Sequence, residues 1–169
     1  MTNNLHVDLY KSTYATFKMD KGDIIFRLYD EAPIQSNRFI KNAKDGNFIG
    51  ASFGRVVPGF MVQSGPIENG VKHNYQFDET EEPRRKYNNN FHAYGVLSAA
   101  NTGQANSSMG GFFICLSRNG TRHLDKGHTT FGHVIYGIEL IEQIESDDII
   151  NDITITGSAL PYHEGSYTL

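Results

Sequence analysis

Residues 53 to 63 read Phe53-Gly-Arg-Val-Val-Pro-Gly-Phe-Met-Val-Gln63. Two short apolar runs, Val56-Val57 and Phe60-Met61-Val62, flank Pro58-Gly59. Proline presets φ for a turn and glycine admits φ > 0, so the pattern predicts strand, tight turn, strand. One cation, Arg55, and one long amide, Gln63, stand within this frame. If the two strands line a groove, Arg55, Phe60, Met61 and Gln63 form a mixed surface with apolar grip, a fixed fork of donors and an amide. The plainer alternative is a core hairpin whose arginine points to water.

Working outward, alternating apolar residues place strands on both sides. Ala15, Phe17 and Met19 alternate with polar neighbours as in a half-buried strand, and Ile24, Phe26 and Leu28 supply the core face of a second strand beyond the Asp20–Gly22 turn. Ala32-Pro33 opens a helix expected to reach about Lys44, because a proline in the first turn loses no needed N–H. Ile34, Phe39, Ile40 and Ala43 fall on one face of it, and Gly46 ends it. Residues 64–94 read as a long surface loop containing Asn69-Gly70, the acidic run Glu79 to Glu82 and the basic run Arg84-Arg85-Lys86. Val96-Leu97, Phe112–Leu116, Thr129–Val134 and Ile149–Thr156 read as further strands, with a polar, Gly-rich loop from Gly103 to Gly111. Ile138–Glu145 reads as a second helix with Ile138, Ile141 and Ile144 on one side. About eight strands and two helices, without a helix after each strand, argue against a parallel α/β fold. They point to a mainly β, closed eight-stranded antiparallel barrel, which removes sheet edges.

Length and composition bound the function. The chain of 169 residues is expected to form a single domain over 14–169, preceded by a polar arm, 1–13, that is loosely ordered or a docking element. Its net charge of −4 disfavours nucleic acid as the main ligand. One cysteine, Cys115, allows no internal disulfide, and its apolar neighbours make it a buried, inert thiol. No apolar run is long enough to span a membrane, and the N-terminus lacks the basic and apolar segments of a leader, so a cytoplasmic protein is expected. The Asn106 and Asn119 acceptor-like triplets are then read as turns. His123, His128 and His133 recur every five residues, a spacing that fits neither one helix face nor one strand face, so no metal site is expected. Gln63-Ser64-Gly65 lacks a nucleophile elbow, and Gly103–Gly111 lacks the Lys-Ser/Thr ending of a phosphate loop.

Three blocks in order carry a family resemblance: Phe53–Gly65; Gly95-Val-Leu-Ser-Ala-Ala-Asn101 with Phe112-Phe113-Ile-Cys115; and His123-Leu-Asp-Lys-Gly-His128-Thr-Thr-Phe-Gly-His-Val134 leading to Gly137-Ile-Glu-Leu-Ile-Glu142. Together they resemble the cyclophilins, peptidyl-prolyl cis-trans isomerases, over roughly residues 15–157. The resemblance implies two helices covering the barrel ends, a substrate groove on the outer wall, and rotation about X–Pro bonds with no cofactor, in the service of protein folding. It implies Arg55 as the catalytic residue and Phe60, Met61, Phe113 and Leu124 as the prolyl pocket. Gln63 would bond the substrate backbone or hold Arg55. Ala100 and Asn101 would meet residues preceding the proline, and His128 the groove edge. Phe113 and Leu124 could equally be core, and His128 a turn residue bonded to a neighbour.

The chain departs from the family at three places. Gly111 stands where Gln usually precedes the Phe-Phe pair, Gly54 stands for the usual His, and His123 stands where Trp is frequent. The first two leave room for a non-catalytic binder of proline peptides as the alternative. The third implies weak binding of cyclosporin, with proline-containing peptides and protein clients as the partners.

Overall fold

The structure, a computed structural model, describes residues 12–30, 32–67, 90–102 and 110–157. The expected arm, the charged runs of 79–86, the core of the 103–111 loop and the C-terminal stretch from 158 lie outside these residues, except that Ser12 and Thr13 are buried and Thr13 opens the first strand.

Eight strands form one antiparallel sheet: β1 Thr13–Met19, β2 Gly22–Leu28, β3 Arg55–Val57, β4 Met61–Ser64, β5 Val96–Ala99, β6 Phe112–Cys115, β7 Thr130–Tyr136 and β8 Ile150–Gly157. Their spatial order is β3-β4-β6-β5-β7-β2-β1-β8. The sheet curls into a half-barrel instead of the expected closed barrel. Its edges, β3 and β8, do not pair. The segment 50–53 before β3 meets the start of β8 through one isolated bridge, Ser52 to Ile149, and four backbone bonds such as Ile150 N–H to the Ala51 carbonyl at 2.7 Å. Gly50, at φ +80°, turns the chain there, so no regular ladder extends across the gap.

The alternation in β1 and β2 places Ala15, Phe17, Met19, Ile24, Phe26 and Leu28 in the core as expected. The helix α1, Pro33–Lys44, has proline at its start, Asp45 as C-cap and Gly46 at φ +75° beyond it. Its Ile34, Phe39, Ile40 and Ala43 are buried. Phe39 lies 5.0 Å from Phe48, 5.4 Å from Phe131 and 5.6 Å from Phe112 between ring centres, which seats α1 on the inner face of the sheet.

The second expected helix is shorter than its sequence suggests. Only α3, Ile138–Ile141, is helical there; α2, Arg118–Thr121, and a 3-10 turn, Arg122–Leu124, are the other short helices among the described residues. Ile141 and Ile144 are buried, but Ile138 is 46% exposed, so the three isoleucines do not share one buried face. Only Ile141 is buried from within that turn, Ile144 is buried from the irregular chain that follows it, and a short isolated helix has little intrinsic stability to extend it.

Candidate functional site

Registers across four strands build the site. Arg55 on β3 faces Gln63 on β4, Gln63 faces Phe113 on β6, and Phe113 faces Ser98 on β5. Side chains alternate between faces, so this row shares the outer face. Val62, Ile114 and Leu97, one step along, point into the main core. The outer face carries its own smaller apolar cluster: Met61, Val96, Phe113 and Cys115, with Phe60, Ala100 and Leu124 packed against it. A half-barrel wall that is apolar on both sides is the reason a greasy slot can sit on its exterior.

The Pro58-Gly59 turn forms as the sequence predicts, with Gly59 at φ +73°. It is held from outside: the Ser117 hydroxyl donates to the Gly59 carbonyl at 2.7 Å, and Leu116 N–H to the Phe60 carbonyl at 2.9 Å. These bonds fix Phe60 at the end of the slot.

The cleft has a volume of about 260 Å³. It is lined by Arg55, Phe60, Met61, Gln63, Ala100, Asn101, Phe113, Leu124 and His128. Every site residue named from the sequence is thus present except His123, which flanks the cleft with its ring 5.7 Å from that of Phe60. Asn101 donates its side-chain amide to the Gly127 carbonyl at 2.8 Å, and His128 Nδ1 donates to the Ala99 carbonyl at 2.9 Å. His128 therefore both lines the groove and is bonded to a neighbour. Burial pushes its pKa below the ordinary imidazole value of 6.5, so the ring is neutral at physiological pH. His133, the third of the evenly spaced histidines, bonds the Tyr29 hydroxyl at 3.1 Å.

Sequence reasoning missed the support beneath Phe113. The fully buried His92 ring lies nearly parallel to the Phe113 ring, 5.9 Å away at 14°. Its Nδ1 faces the Asp125 carboxylate at 2.9 Å and the Asn90 carbonyl at 3.1 Å, both acceptors, so Nδ1 carries the proton. Nε2 lies 2.8 Å from the Ser98 hydroxyl, which is also 3.2 Å from the Thr129 carbonyl, so the two acceptors share one hydroxyl proton. Asp125 also takes Arg118 at 2.8 Å and the His92 backbone N–H at 2.9 Å. Burial alone would raise this carboxyl, but these donors win and hold it below its ordinary value. His92 and Asp125 are 33 positions apart, so no local spacing announces the pair. Cys115, as expected, is buried and its thiol is pushed up to about 12, mainly by burial.

Burial likewise lowers the pKa of His92. As pH falls through 6.5 the unfolded chain takes up a proton at this histidine before the folded chain does, so its stabilising contribution, fully present above 6.5, is lost on the acid side. Denaturant titrations between pH 8 and pH 5 should show stability falling by up to about 1.4 kcal/mol per pH unit from His92 alone, and His92→Gln should flatten the slope. A curve that is flat through this range in the parent protein would contradict the neutral buried ring.

Residues 14–158 match the profile described as cyclophilin type peptidyl-prolyl cis-trans isomerase/CLD. A peptidyl-prolyl cis-trans isomerase of Helicobacter pylori is 32% identical over 160 residues, covering 89% of this chain and 91% of the relative. One of Synechococcus elongatus is 34% identical over 155 residues, covering 87% and 99%. A crystal structure of a Cryptosporidium parvum cyclophilin type peptidyl-prolyl cis-trans isomerase superposes with a TM-score of 0.71 at 23% identity, over 86% of this chain and 98% of that one, a likeness of fold.

Proposed function

Because the chain belongs to the cyclophilin-type peptidyl-prolyl cis-trans isomerase family, we propose that its outer cleft is where X–Pro bonds of peptides and protein clients are turned, with Arg55 as the catalytic residue. The observation that carries this reading is the row Arg55, Gln63, Phe113 beside the apolar slot of Phe60, Met61 and Leu124.

The uncatalysed barrier of roughly 18–20 kcal/mol is amide resonance. In the twisted amide the C–N bond is nearly single and the prolyl nitrogen regains a lone pair. A guanidinium aimed at that nitrogen donates to it when twisted and far less when planar, which is differential binding of the transition state. The prolyl ring stays in the slot while the acyl side rotates. Gln63, directly opposite Arg55, orients the fork or meets the substrate backbone. Ala100 and Asn101 take the residues ahead of the proline. No bond is made or broken, so no cofactor is called for. NMR exchange spectroscopy on an X–Pro peptide tests the reading. Binding without faster exchange would leave a proline-peptide binder instead.

Among relatives, a further crystal structure of the Cryptosporidium parvum protein was determined in the presence of the dipeptide Ala-Pro, which agrees with a proline-sized slot. We extend the proposal to a role in protein folding in the cytoplasm and to a single domain whose N-terminal boundary, with Ser12 buried and Thr13 in β1, lies ahead of position 14.

Gly111 supplies no amide beside this cleft. A Cβ built there meets Ala100 Cβ at 3.4 Å and the Ser64 carbonyl at 3.7 Å, so a side chain fits. Gly111→Gln should raise kcat/KM by about tenfold or more, the worth of one orienting hydrogen bond at 1–2 kcal/mol. An unchanged rate would show that the missing amide does not limit turnover. His123, tilted against Phe60, offers less surface and no indole N–H, so weak cyclosporin binding is expected, with His123→Trp tightening it in a calorimetric titration.

A further inference from the structure

One wall of the prolyl cleft is the segment 118–128. Leu124 and His128 line the cleft from it, and His123 lies against Phe60. Two tight turns shape this wall. The Asp125 N–H donates to the Arg122 carbonyl at 3.3 Å, and the Gly127 and His128 N–H groups both donate to the Leu124 carbonyl at 3.1 Å. The Asn101 amide, itself at the cleft, donates to the Gly127 carbonyl at 2.8 Å. Backbone bonds therefore hold the wall, and its long cationic side chains are not needed for that purpose.

The segment carries Arg118, Arg122 and Lys126 against one carboxylate, Asp125. That carboxylate is occupied within the fold, by Arg118 at 2.8 Å and by the His92 ring and backbone N–H at 2.9 Å each. Arg122 and Lys126 remain. Both are exposed, and among the described residues neither has a carboxylate within 4.0 Å. Arg55 adds a third cation from β3 and likewise has no such partner among them. No residue lining the cleft is acidic, and β3 to β6 contain no Asp or Glu. Asp147 and Asp148 approach β3 by bonding the Phe53 backbone, but Asp148 is taken by Lys21 at 2.8 Å. In a chain of net charge −4 the cleft is thus a local reversal of sign. Apolar walls beside charges of one sign focus the field on whatever enters.

We infer that this rim selects acidic clients: Arg122 and Lys126 favour prolines flanked by Asp or Glu, with Arg55 adding to the field. The inference rests on the groove reading above and gives it a substrate class. The apolar slot grips the prolyl ring whatever its neighbours are. The two rim cations, on long flexible stems, discriminate among those neighbours by charge.

The test uses the blocked peptides acetyl-Xaa-Ala-Pro-Ala-Xaa-amide with Xaa Glu, Gln or Lys, titrated into the full chain near neutral pH and followed by amide shifts. Placing Xaa on both sides of the proline makes the result independent of the direction in which the peptide lies. At about 20 mM salt the Glu peptide should bind about fivefold tighter than the Gln peptide, the effect of two exposed ion pairs, and the Lys peptide weaker than either. At about 300 mM salt the Glu-to-Gln ratio should fall to about twofold or less, because exposed charges are screened. The double variant Arg122→Gln, Lys126→Gln should bring the low-salt ratio to about twofold or less and leave affinity for the Gln peptide unchanged. Equal affinities of the Glu and Gln peptides for the parent protein at low salt, or a ratio that survives the double substitution, would overturn the rim. Exchange rates on the Gln peptide are read separately. A fivefold ratio without accelerated exchange supports the rim and overturns the isomerase reading alone, whereas accelerated exchange with equal affinities does the reverse.

Discussion

Arg55→Ala will slow catalysed exchange of an X–Pro peptide by about a hundred- to a thousandfold, while peptide affinity changes by about threefold or less. The asymmetry follows from where the residue sits. Arg55 is exposed at the start of β3, outside both apolar clusters, so its truncation opens no cavity and the variant should fold. The apolar slot proposed to grip proline is built by Phe60, Met61, Phe113 and Leu124 and is untouched. What disappears is a donor that acts on the twisted amide more than on the planar one, and such a loss appears in kcat, not in KM. Arg55→Lys should recover only part of the rate, since a point charge on a flexible stem does not reproduce a planar fork of donors. Exchange spectroscopy and a binding titration on the same peptide measure both quantities. Full activity in Arg55→Ala would end the proposed role.

The second large effect concerns stability. Phe112→Ala should cost about 3–5 kcal/mol and lower Tm by roughly 10 °C for a chain of this size. Phe112 is fully buried, and its ring meets those of Phe17, Phe39, Phe48 and Phe53 at centre distances of 5.5, 5.6, 5.6 and 6.4 Å. It thus joins β1, α1 and the segments before β3 at one point, and no neighbour is free to collapse into the space. The next residue provides the control. Phe113 points to the other side of the same strand, into the small outer cluster that opens on the cleft. Phe113→Ala should therefore cost less stability and more substrate affinity. Thermal unfolding of the two variants with peptide titrations on each will separate them. If Phe112→Ala and Phe113→Ala were equally destabilising, the two-sided reading of β6 would be wrong.

The pieces that a short stretch encodes were legible from residues alone. Alternation in 15–19 and 24–28 marks buried strand faces, because successive side chains leave opposite sides of a strand. Pro33 and Gly46 bracket α1, and Pro58-Gly59 makes the turn, because φ preference is a property of one residue. The family resemblance then pointed to residues that spacing could not, and nine of the ten it marked line one cleft. Helical spacing at 138–144 was less informative, since a single turn followed by irregular chain meets the same apolar spacing.

Tertiary structure decided what depends on distant segments meeting. The open half-barrel turns on β3 and β8 failing to pair, and the irregular 50–53 joint decides that. The row of Arg55, Gln63, Phe113 and Ser98 exists only in the register of four strands, and the His92–Asp125 pair beneath it joins two loops. Local preferences are fixed by a few dihedrals and side-chain shapes, whereas register is settled by the summed packing of the whole chain, a quantity no window of the sequence contains.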